Sequence, residues 1–343
     1  MSSPKVLIVG AGAMGLTTGH YLSLTGNQVT YLVRPGTVDK HQPPVRLYRY
    51  DDDTVIDFKG FDVIDSAQRA DLDTNFVVVT LDYTLCHSEA GEAVLRQLGQ
   101  QFRNTSSIFV MGGIGIGLRD HFERVTGLDK HRIVAGGLGL LAHQVTPEVT
   151  HGSSVTRSKI GSAEIAFRTM MEAMFFVVDD PQVESSSFVR ALSSDTDQYC
   201  STMSFTDFSI MTNAGFPLMA ASEIKGWHSA QDVINDCELW KLTCDARREI
   251  ALLPQFGASE TEIYSSMSNA ALAENFVAME EAAKPLDFQS FNRFHHGGKV
   301  ADQDRSIMQA CLQEGRKQGR PMQSLGHLLD CLTQAQSQSG AHQ

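Results

Sequence analysis

The chain has 343 residues, which exceeds one ordinary core and predicts two domains, and its 42% hydrophobic and 20% charged residues are typical of a soluble globular protein. Its net charge of −12, with no long basic run, argues against nucleic-acid binding, although a local arginine and a helix N-terminus can still hold an anionic cofactor. The six cysteines contain no C-x-x-C pair, which favours a reducing compartment. No apolar run reaches the roughly 18 residues that cross a bilayer, so we expect a cytoplasmic protein without a membrane partner.

The first half of the chain alternates apolar strands with helical segments. "KVLIVG" predicts a buried strand, "AMGLTTGHYLSLTG" predicts a helix that stops near Gly26, and "QVTYLV" predicts a second strand with Arg34 at its end. "FVVVTL", "SSIFVMGG" and "HRIVAGGLGLLAHQV" predict further strands, with a helix around "EAGEAVLRQLGQQF". This alternation predicts an α/β fold in which residues 1–165 form a Rossmann-type, doubly wound parallel sheet with right-handed crossovers.

Beyond residue 165, Met, Ala and Phe recur at helical intervals. The segments are "AFRTMMEAMFFV", "CELWKLTCDARREIALL", "ALAENFVAMEEAA" and "RSIMQACLQEGRKQG". No comparable strand runs are found there. We therefore expect a mainly α-helical second domain over residues 166–335, followed by a polar, frayed tail over residues 336–343.

Three glycines between the first strand and the first helix form a dinucleotide-binding pattern. Gly10, Gly12 and Gly15 give G-x-G-x-x-G, in which the first glycine permits a tight turn. The second lets the backbone approach a pyrophosphate, and the third lets the helix pack on the strand. The helix N-terminus then offers free N–H groups to the phosphates. The alternative is a tight strand–helix turn that binds no ligand.

The end of the second strand indicates which dinucleotide is bound. An acidic residue there binds the ribose hydroxyls of NAD, whereas an arginine accommodates the 2′-phosphate of NADP. The chain reads "YLVRPG", with Arg34 at this point and no acid before Asp39. The sequence therefore favours NADP, and the alternative is that Arg34 is a solvated charge at a strand end.

The layout of strand, "GAGAMG", helix, "VTYLVR" and helical second domain resembles the ketopantoate reductase family. "GGLGLLAHQVTPEVTHGSSVTRSKIG" is similar to that family's strand pair, and "SFNRFHHGGKVADQD" lines up with its C-terminal pattern. The resemblance implies NADPH-dependent reduction of a 2-oxo acid and a C-terminal domain like that of 6-phosphogluconate dehydrogenase. The cofactor-binding residues expected are Gly10, Ala11, Gly12, Ala13, Met14, Gly15, Arg34, Leu81, Gly112 and Ala142.

The resemblance also implies substrate and catalytic residues in the second domain. The family's substrate serine matches Ser290, and its acidic residue twelve positions later matches Asp302. The asparagine that follows the family's catalytic lysine matches Asn213, but the lysine itself, four residues earlier, is replaced by Ser209.

Two positions of the first domain depart from the family pattern as well. Asp82 stands where the family has a lysine on the cofactor side, and Gly112 stands where it has an asparagine. A serine hydroxyl at position 209 cannot replace a cation beside a carbonyl oxygen, and Asp82 disfavours a nearby anion. We therefore expect a larger or neutral carbonyl or imine substrate rather than ketopantoate.

A reductase of this kind also needs a proton donor. Asp302 could serve if burial raises its pKa, or it could be an ordinary carboxylate at a helix start. A histidine side chain suits a general acid at neutral pH, and His295 and His296 lie nearby, but at most one is expected to face a substrate and both could be surface residues. Lys225 and Lys299 are alternative cations, and no metal site is expected.

The expected function is therefore NADPH-dependent reduction of a carbonyl or imine by the candidate set Asn213, Ser290, His295 and Asp302. Two alternatives stay open: a non-redox enzyme that catalyses cyclisation or dehydration on the same scaffold, and a non-catalytic NADP-binding module. The expected partners are NADP and a small-molecule substrate, with a homodimer as the candidate assembly.

Overall fold

The computed structural model describes residues 3–340 apart from residues 182 and 184. The chain folds into two compact units. The first unit contains the residues up to Thr146 and residues 153–204, and the second contains residues 147–152 and the residues after Ser204. All the strands that the described residues form belong to the first unit.

Twelve strands are formed by the described residues. In chain order they are β1 (Lys5–Val9), β2 (Gln28–Leu32), β3 (Val45–Arg49), β4 (Thr54–Phe58), β5 (Phe61–Ile64), β6 (Phe76–Val79), β7 (Ile108–Met111), β8 (Ile133–Leu138), β9 (Leu140–Gln144), β10 (Ile165–Thr169), β11 (Phe175–Val178) and β12 (Cys200–Met203). Eight of them form a sheet in the order β12-β11-β8-β7-β6-β1-β2-β5, which is parallel except where β11 runs antiparallel to β8. The other four form a sheet in the order β4-β3-β10-β9.

Helices flank the larger sheet and build the second unit. The first unit has α1 (Ala13–Leu24), α2 (Tyr83–Cys86), α3 (Glu89–Gln101), α4 (Leu118–Thr126), α5 (Arg157–Ile160) and α6 (Ser185–Ala191). The second unit has α7 (Phe205–Asn213), α8 (Phe216–Ile224), α9 (Ala230–Asn235), α10 (Cys237–Ala251), α11 (Glu260–Ser266), α12 (Asn269–Ala283), α13 (Phe288–Phe294), α14 (Ala301–Lys317) and α15 (Gln323–Gly340). A π-helical turn, His295–Lys299, links α13 to α14. Short 3₁₀ turns occur at Val38–His41, Ala67–Arg69, Lys130–Arg132 and Pro254–Phe256.

The alternation of side chains along β1 explains the layered first unit. Val6 and Ile8 pack into a core on one face of the sheet, together with Leu16 and Leu22 of α1. Leu7 and Val9 point to the other face, into a core that includes buried residues of α3. Because both faces are covered by helices, β1 has to be apolar throughout. The predicted α/β class, with a parallel N-terminal sheet and a helical C-terminal region, is confirmed.

The structure corrects the helical interpretation of "AFRTMMEAMFFV", since this segment contains most of β10 and most of β11. The run "FFVV" is completely buried, and its aromatic and β-branched side chains favour a strand. β11 and β12 extend the large sheet, so the first unit continues to Ser204 rather than ending at the predicted residue 165. The sequence prediction also missed β3, β4 and β5.

The predicted frayed tail differs from the structure in its first part. α15 continues through residues 336–340, so these residues are helical. Residues 341–343 of the predicted tail lie outside the described residues. In the part of the chain that the structure describes, no helix combines the length and the apolar character needed to span a membrane.

Helix packing organises the second unit around α10. This helix packs against α15 and α8, and Trp240 on α10 lies parallel to the ring of Phe276 on α12 at 6.4 Å between centroids. The segment 147–152 is attached to the start of α13. Thr150 donates its hydroxyl hydrogen to Asp287 (2.9 Å), and its carbonyl accepts the Asp287 N–H (3.0 Å).

The smaller sheet is fixed by Asp53, in the turn between β3 and β4. Its carboxylate accepts hydrogen bonds from the Tyr48 hydroxyl (2.6 Å), from the N–H and hydroxyl of Thr156 (2.9 and 2.7 Å) and from the Lys159 ammonium (2.6 Å). Asp53 also has a left-handed backbone, with φ of 53°. The hydrogen bonds from Lys159, and next from Tyr48, hold the pKa of this carboxyl well below its ordinary value.

We expect Asp53→Asn to lower the melting temperature at pH 7, because asparagine tolerates the left-handed backbone but carries no charge. The folded-state pKa is depressed, so the stabilisation is present above the ordinary aspartate pKa of about 3.9 and is lost as the pH falls below it. Thermal unfolding between pH 7 and pH 3 should show the gap to wild type narrowing. The matched control is Asp57→Asn, whose exposed carboxylate bonds only Arg46 among described side chains. Equal losses in the two variants, or a pH-independent gap, would contradict this account.

Candidate functional site

The predicted glycine motif lies between β1 and α1, at the carboxyl end of β1. Gly10 has φ of 103°, a conformation that L side chains rarely adopt, and its N–H bonds the Leu32 carbonyl at the end of β2 (2.9 Å). A Cβ on Gly15 would lie 2.1 Å from the Gly10 carbonyl oxygen, so no side chain fits there. A Cβ on Gly12 would meet nothing within 4 Å. Gly10 and Gly15 are therefore required by the fold, whereas Gly12 faces open space.

The N-terminus of α1 has no side-chain cap. Gly12 is the N-cap residue, and the first turn contains no acidic side chain. The first N–H groups of a helix have no partner within it and attract anions, with the helix dipole adding to the effect. The open space beside Gly12 allows a phosphate group to reach these N–H groups. The residues present therefore fit the pyrophosphate of a dinucleotide.

The other expected cofactor residues lie in the same unit, around α1. Leu81 follows β6, and Gly112 follows β7 with its N–H bonded to the Val79 carbonyl (2.8 Å). A Cβ on Gly112 would lie 2.5 Å from Cε of Met14, so this glycine makes room for Met14. Ala142 lies on β9 of the smaller sheet and packs, like Ala11 and Met14, against the core on the α1 face. Ala13 is buried in the first turn of α1.

Arg34 is exposed directly beyond β2, at the carboxyl edge of the sheet. Its carbonyl accepts the Thr37 N–H (3.1 Å) and hydroxyl (2.7 Å), which fixes the turn around Gly36. Among the described residues its guanidinium takes part in no ion pair. This free cation, at the point where the second strand of the motif ends, suits a 2′-phosphate.

Asp82 has a local structural role that the sequence prediction did not include. It is the N-cap residue of α2, and its side chain accepts the Leu85 N–H at 2.7 Å. The carboxylate is therefore used to satisfy a helix N-terminus. A negative charge still stands at this position, as expected.

In the second unit, Asn213 and Ser209 occupy the last turns of α7. Both residues are buried, at 3% and 4% exposure, and the Asn213 side-chain amide donates to the Ser209 carbonyl (2.8 Å). Asn213 Oδ1 is buried without a hydrogen-bond partner among the described residues. An unsatisfied buried acceptor of this kind is costly unless water or a ligand reaches it.

Ser290 is used by the fold rather than left open for a substrate. Its hydroxyl accepts the Thr150 N–H (2.8 Å) and donates to the Asp287 carbonyl (3.0 Å). These bonds tie the segment 147–152 to the start of α13. We therefore correct the expectation that the Ser290 hydroxyl is available to hold a substrate.

The structure also corrects the choice of acidic group near the C-terminus. Asp302 is exposed in the first turn of α14, so it lacks the burial that its predicted role as proton donor requires. Asp304 is the buried carboxylate, at 5% exposure. Its Oδ2 lies 2.6 Å from Nδ1 of His296, and its Oδ1 is buried without a partner among the described residues.

The two neighbouring histidines have different surroundings. The ring of His295 lies nearly parallel to Phe291, at 5.4 Å and 17°. His296 is the one that contacts a carboxylate, and its side chain is 21% exposed. A ring held at one nitrogen by a buried carboxylate and partly open to solvent is suited to move a proton at the other nitrogen. His296 therefore replaces His295 as the candidate.

A periodicity in the sequence could have identified Asp304. Asp304, Ile307, Met308 and Cys311 follow helical spacing and form the buried face of α14, whereas Asp302 lies off this face. Two further buried polar atoms, Ser222 Oγ and Asn292 Nδ2, also have no partner in the part of the chain that the structure describes.

The cations of the second unit differ in their availability. Lys225 lies 3.3 Å from Asp236, so its charge is partly compensated, and Lys299 is exposed. Arg247 on α10 is partly buried, and burial lowers its pKa to about 10, which leaves it charged at neutral pH. Among the described residues, Arg247 has no ion-pair partner. No group of three or more His, Cys, Asp or Glu side chains in residues 3–340, leaving aside 182 and 184, is arranged to hold a metal ion.

Comparison with known proteins adds to this geometry. Residues 6–79 match the family model described as ketopantoate reductase PanE/ApbA. The structure is similar to a probable 2-dehydropantoate 2-reductase, panE, from Bacillus subtilis, with a TM-score of 0.68, 14% identity, and 96% of this chain and 99% of that chain covered. The chain has the ketopantoate reductase fold.

Two other solved structures share this fold. The 2-dehydropantoate 2-reductase from Geobacter metallireducens GS-15 gives a TM-score of 0.65 at 17% identity, with 96% of this chain and 99% of that chain covered. A D-mandelate dehydrogenase with NADH and anilino(oxo)acetate gives 0.65 at 12% identity, with 97% and 98% covered. A search of curated protein sequences finds no significant match. The resemblance to the ketopantoate reductase family is confirmed by the family model over residues 6–79 and by the fold.

Gly15→Ala should lower the free energy of unfolding by about 1–3 kcal/mol, because the added methyl group meets the Gly10 carbonyl and overpacks the helix–strand contact. Gly12→Ala is the matched control. Its methyl group points into open space, and we expect a change below about 1 kcal/mol from the N-cap preference. Denaturant unfolding of both variants measures the difference. If Gly15→Ala were as stable as Gly12→Ala, the close approach of α1 to β1 would be refuted.

Proposed function

We propose that this chain is an NADPH-dependent oxidoreductase that reduces a carbonyl or imine other than ketopantoate. The observation that carries the proposal is the uncapped N-terminus of α1 beside the open space at Gly12, with the unpaired Arg34 at the end of the neighbouring strand. The ketopantoate reductase fold supports it. A small-molecule substrate, the cytoplasm as location and a homodimer as assembly belong to the same proposal.

The preference for NADPH rests on charge. A 2′-phosphate carries close to two negative charges at neutral pH and needs a cation, whereas the ribose hydroxyls of NADH are bound by a carboxylate. Arg34 offers the cation, and the first acid beyond it, Asp39, lies on the 3₁₀ turn Val38–His41. The D-mandelate dehydrogenase of the same fold is described with NADH, so the fold alone does not decide between the two dinucleotides.

The reaction needs a hydride, which a bound nicotinamide supplies to the carbonyl or imine carbon, and a proton for the oxygen or nitrogen. We assign the proton to His296. Its Nδ1–H donates to the Asp304 carboxylate, and Asp304 stabilises the protonated ring. When the ring gives up the proton on Nε2 it becomes neutral and keeps its bond to Asp304.

The missing lysine disfavours ketopantoate as the substrate. Ser209 is buried on α7, and its carbonyl accepts the Asn213 amide, so it adds no positive charge. Asp82 adds a negative charge near the end of β6. Arg247 has no ion-pair partner among the described residues, but it lies on a different helix from the expected lysine. A substrate without a carboxylate needs no cation to pair with one, and in this proposal His296 supplies the proton to the reacting oxygen or nitrogen.

The experiment is a binding and turnover screen. NADPH binding is measured by fluorescence, and NADPH consumption is followed with ketopantoate, other 2-oxo acids, neutral ketones and aldehydes, and cyclic imines. We expect consumption with a neutral carbonyl or imine and little with ketopantoate. Efficient ketopantoate reduction would contradict the substrate argument. Turnover without added dinucleotide would favour the non-redox alternative, and tight binding with no turnover would favour the binding module.

Arg34→Ala should weaken NADPH binding by roughly 10- to 100-fold, because a charge-assisted hydrogen bond to phosphate contributes about 1.5–3 kcal/mol. NADH binding should change less than about threefold, since NADH has no 2′-phosphate. Titration at constant ionic strength measures both. The control is Arg103→Ala, an exposed arginine between α3 and β7, at the opposite edge of the sheet. An unchanged NADPH affinity in Arg34→Ala would remove the basis for the NADP assignment.

His296→Gln should lower kcat about 100-fold on the best substrate of the screen, because a positioned proton donor contributes roughly 10²–10⁴-fold. Asp304→Asn should lower kcat less than His296→Gln does, because the ring keeps the nitrogen that carries the proton and loses only the carboxylate that holds it. His228→Gln, an exposed histidine of the same unit, is the control. A larger loss in Asp302→Asn than in His296→Gln would return the role to Asp302.

A further inference from the structure

The loop that follows β2 presents more than one cation. Arg34 begins it, and the chain then turns through Gly36, which has φ of 75°. Thr37 bonds back to the Arg34 carbonyl, and the Lys40 N–H bonds the Thr37 carbonyl (3.0 Å). These bonds fold the loop onto the 3₁₀ turn Val38–His41, which ends with Lys40 and His41.

The charges of this loop act on His41. Partial burial is the largest cause that lowers the pKa of His41, and the positive charges of Arg34 and Lys40 lower it further. Glu164, which directly precedes β10, raises the pKa of His41. Arg34 and Lys40 are exposed, and neither has an ion-pair partner among the described residues. The turn also packs against β5, where Asp62 is exposed and Asp65, just beyond the strand, is paired with Arg69.

We propose that Lys40 and His41 complete, with Arg34, the binding site for the 2′-phosphate of NADPH, and that His41 takes up a proton from solvent when this phosphate binds. The inference rests on the proposed NADPH dependence and adds two residues to it. One guanidinium neutralises only one of the nearly two negative charges of a 2′-phosphate. The protonated ring, Arg34 and Lys40 together exceed the phosphate charge by one.

The direction of the pH effect follows from the charges. In the free protein the pKa of His41 lies below its ordinary value of 6.5, so the ring is neutral at pH 7–8. A bound phosphate favours the charged ring and raises this pKa. Linkage then requires that NADPH binds more tightly as the pH falls, while NADH, which lacks the phosphate, shows no such gain.

The test measures the dissociation constants of NADPH and NADH at pH 8, 7 and 6.5 and at constant ionic strength. For wild type, the preference for NADPH over NADH should rise about fivefold between pH 8 and pH 6.5, because the ring of His41 takes up its proton more readily as the pH falls. In His41→Gln the preference should stay constant within about twofold. Lys40→Gln should weaken NADPH about fivefold or more at every pH and leave NADH unchanged, as loss of one exposed phosphate contact implies.

The control for histidine removal is His131→Gln, since His131 is exposed and lies in the 3₁₀ turn before β8. This variant should keep the wild-type pH dependence. A pH dependence in His41→Gln equal to that of wild type would overturn the proposal even if Arg34→Ala loses NADPH, and the proposed function would then stand. If Arg34→Ala instead kept both its affinity for NADPH and its preference for NADPH over NADH, the NADPH assignment itself would be refuted.

Calorimetry gives a second readout that needs no substrate. Measured in two buffers of different ionisation enthalpy, NADPH binding to wild type at pH 7 should take up a fraction of a proton. NADH binding should take up none, and NADPH binding to His41→Gln should take up less than binding to wild type. Equal proton uptake in wild type and His41→Gln would contradict the role of His41.

Discussion

The close approach of α1 to the large sheet is the constraint on which the rest of the first unit depends. A Cβ on Gly15 would lie 2.1 Å from the Gly10 carbonyl oxygen, and one on Gly19 would lie 1.9 Å from the Tyr31 hydroxyl oxygen. That hydroxyl in turn donates to the Gly15 carbonyl (3.1 Å). Two glycines on one face of the helix thus let it lie directly on β1 and β2. Any side chain at these positions would push the helix away from the strands.

This contact determines where the free N–H groups of α1 are found. Because the helix starts at the end of β1, its first turn lies at the carboxyl edge of the sheet, where parallel sheets bind ligands. Some other helices of this chain are capped by side chains, such as α3 by Ser88 and α13 by Asp287, whereas α4, α8 and α14 have no side-chain cap. α1 has only Gly12, which leaves space for a phosphate, and Arg34 stands at the end of the adjacent strand.

The sequence was sufficient to predict the part of the first unit whose structure depends on local sequence pattern. The strand, glycine turn and helix over residues 5–24 follow from apolar runs and a fixed spacing of glycines, so they could be predicted correctly. β11 could not, because the methionine-rich run before it fits helical spacing equally well. Pairing with β8 on one side and with β12 on the other gives "FFVV" its strand conformation.

The second unit shows the same limit for individual side chains. A resemblance assigned Asp302 and Ser290 by position, but exposure and hydrogen bonding depend on which way each helix turns. The helix α14 directs Asp304 inward to His296, and the fold uses the hydroxyl of Ser290 to hold the segment 147–152. His296 and Asp304 are eight residues apart, and Thr150 and Ser290 are 140 residues apart. Sequence spacing alone therefore does not reveal these hydrogen-bond partners.

The central claim is that the glycine turn and the loop after β2 hold NADPH. A crystal structure of the chain with NADPH tests it most directly. We predict that the pyrophosphate oxygens lie within hydrogen-bonding distance of the N–H groups in the first turn of α1, and that the 2′-phosphate contacts Arg34. A dinucleotide bound elsewhere, or one whose 2′-phosphate points away from Arg34 into solvent, would contradict the account.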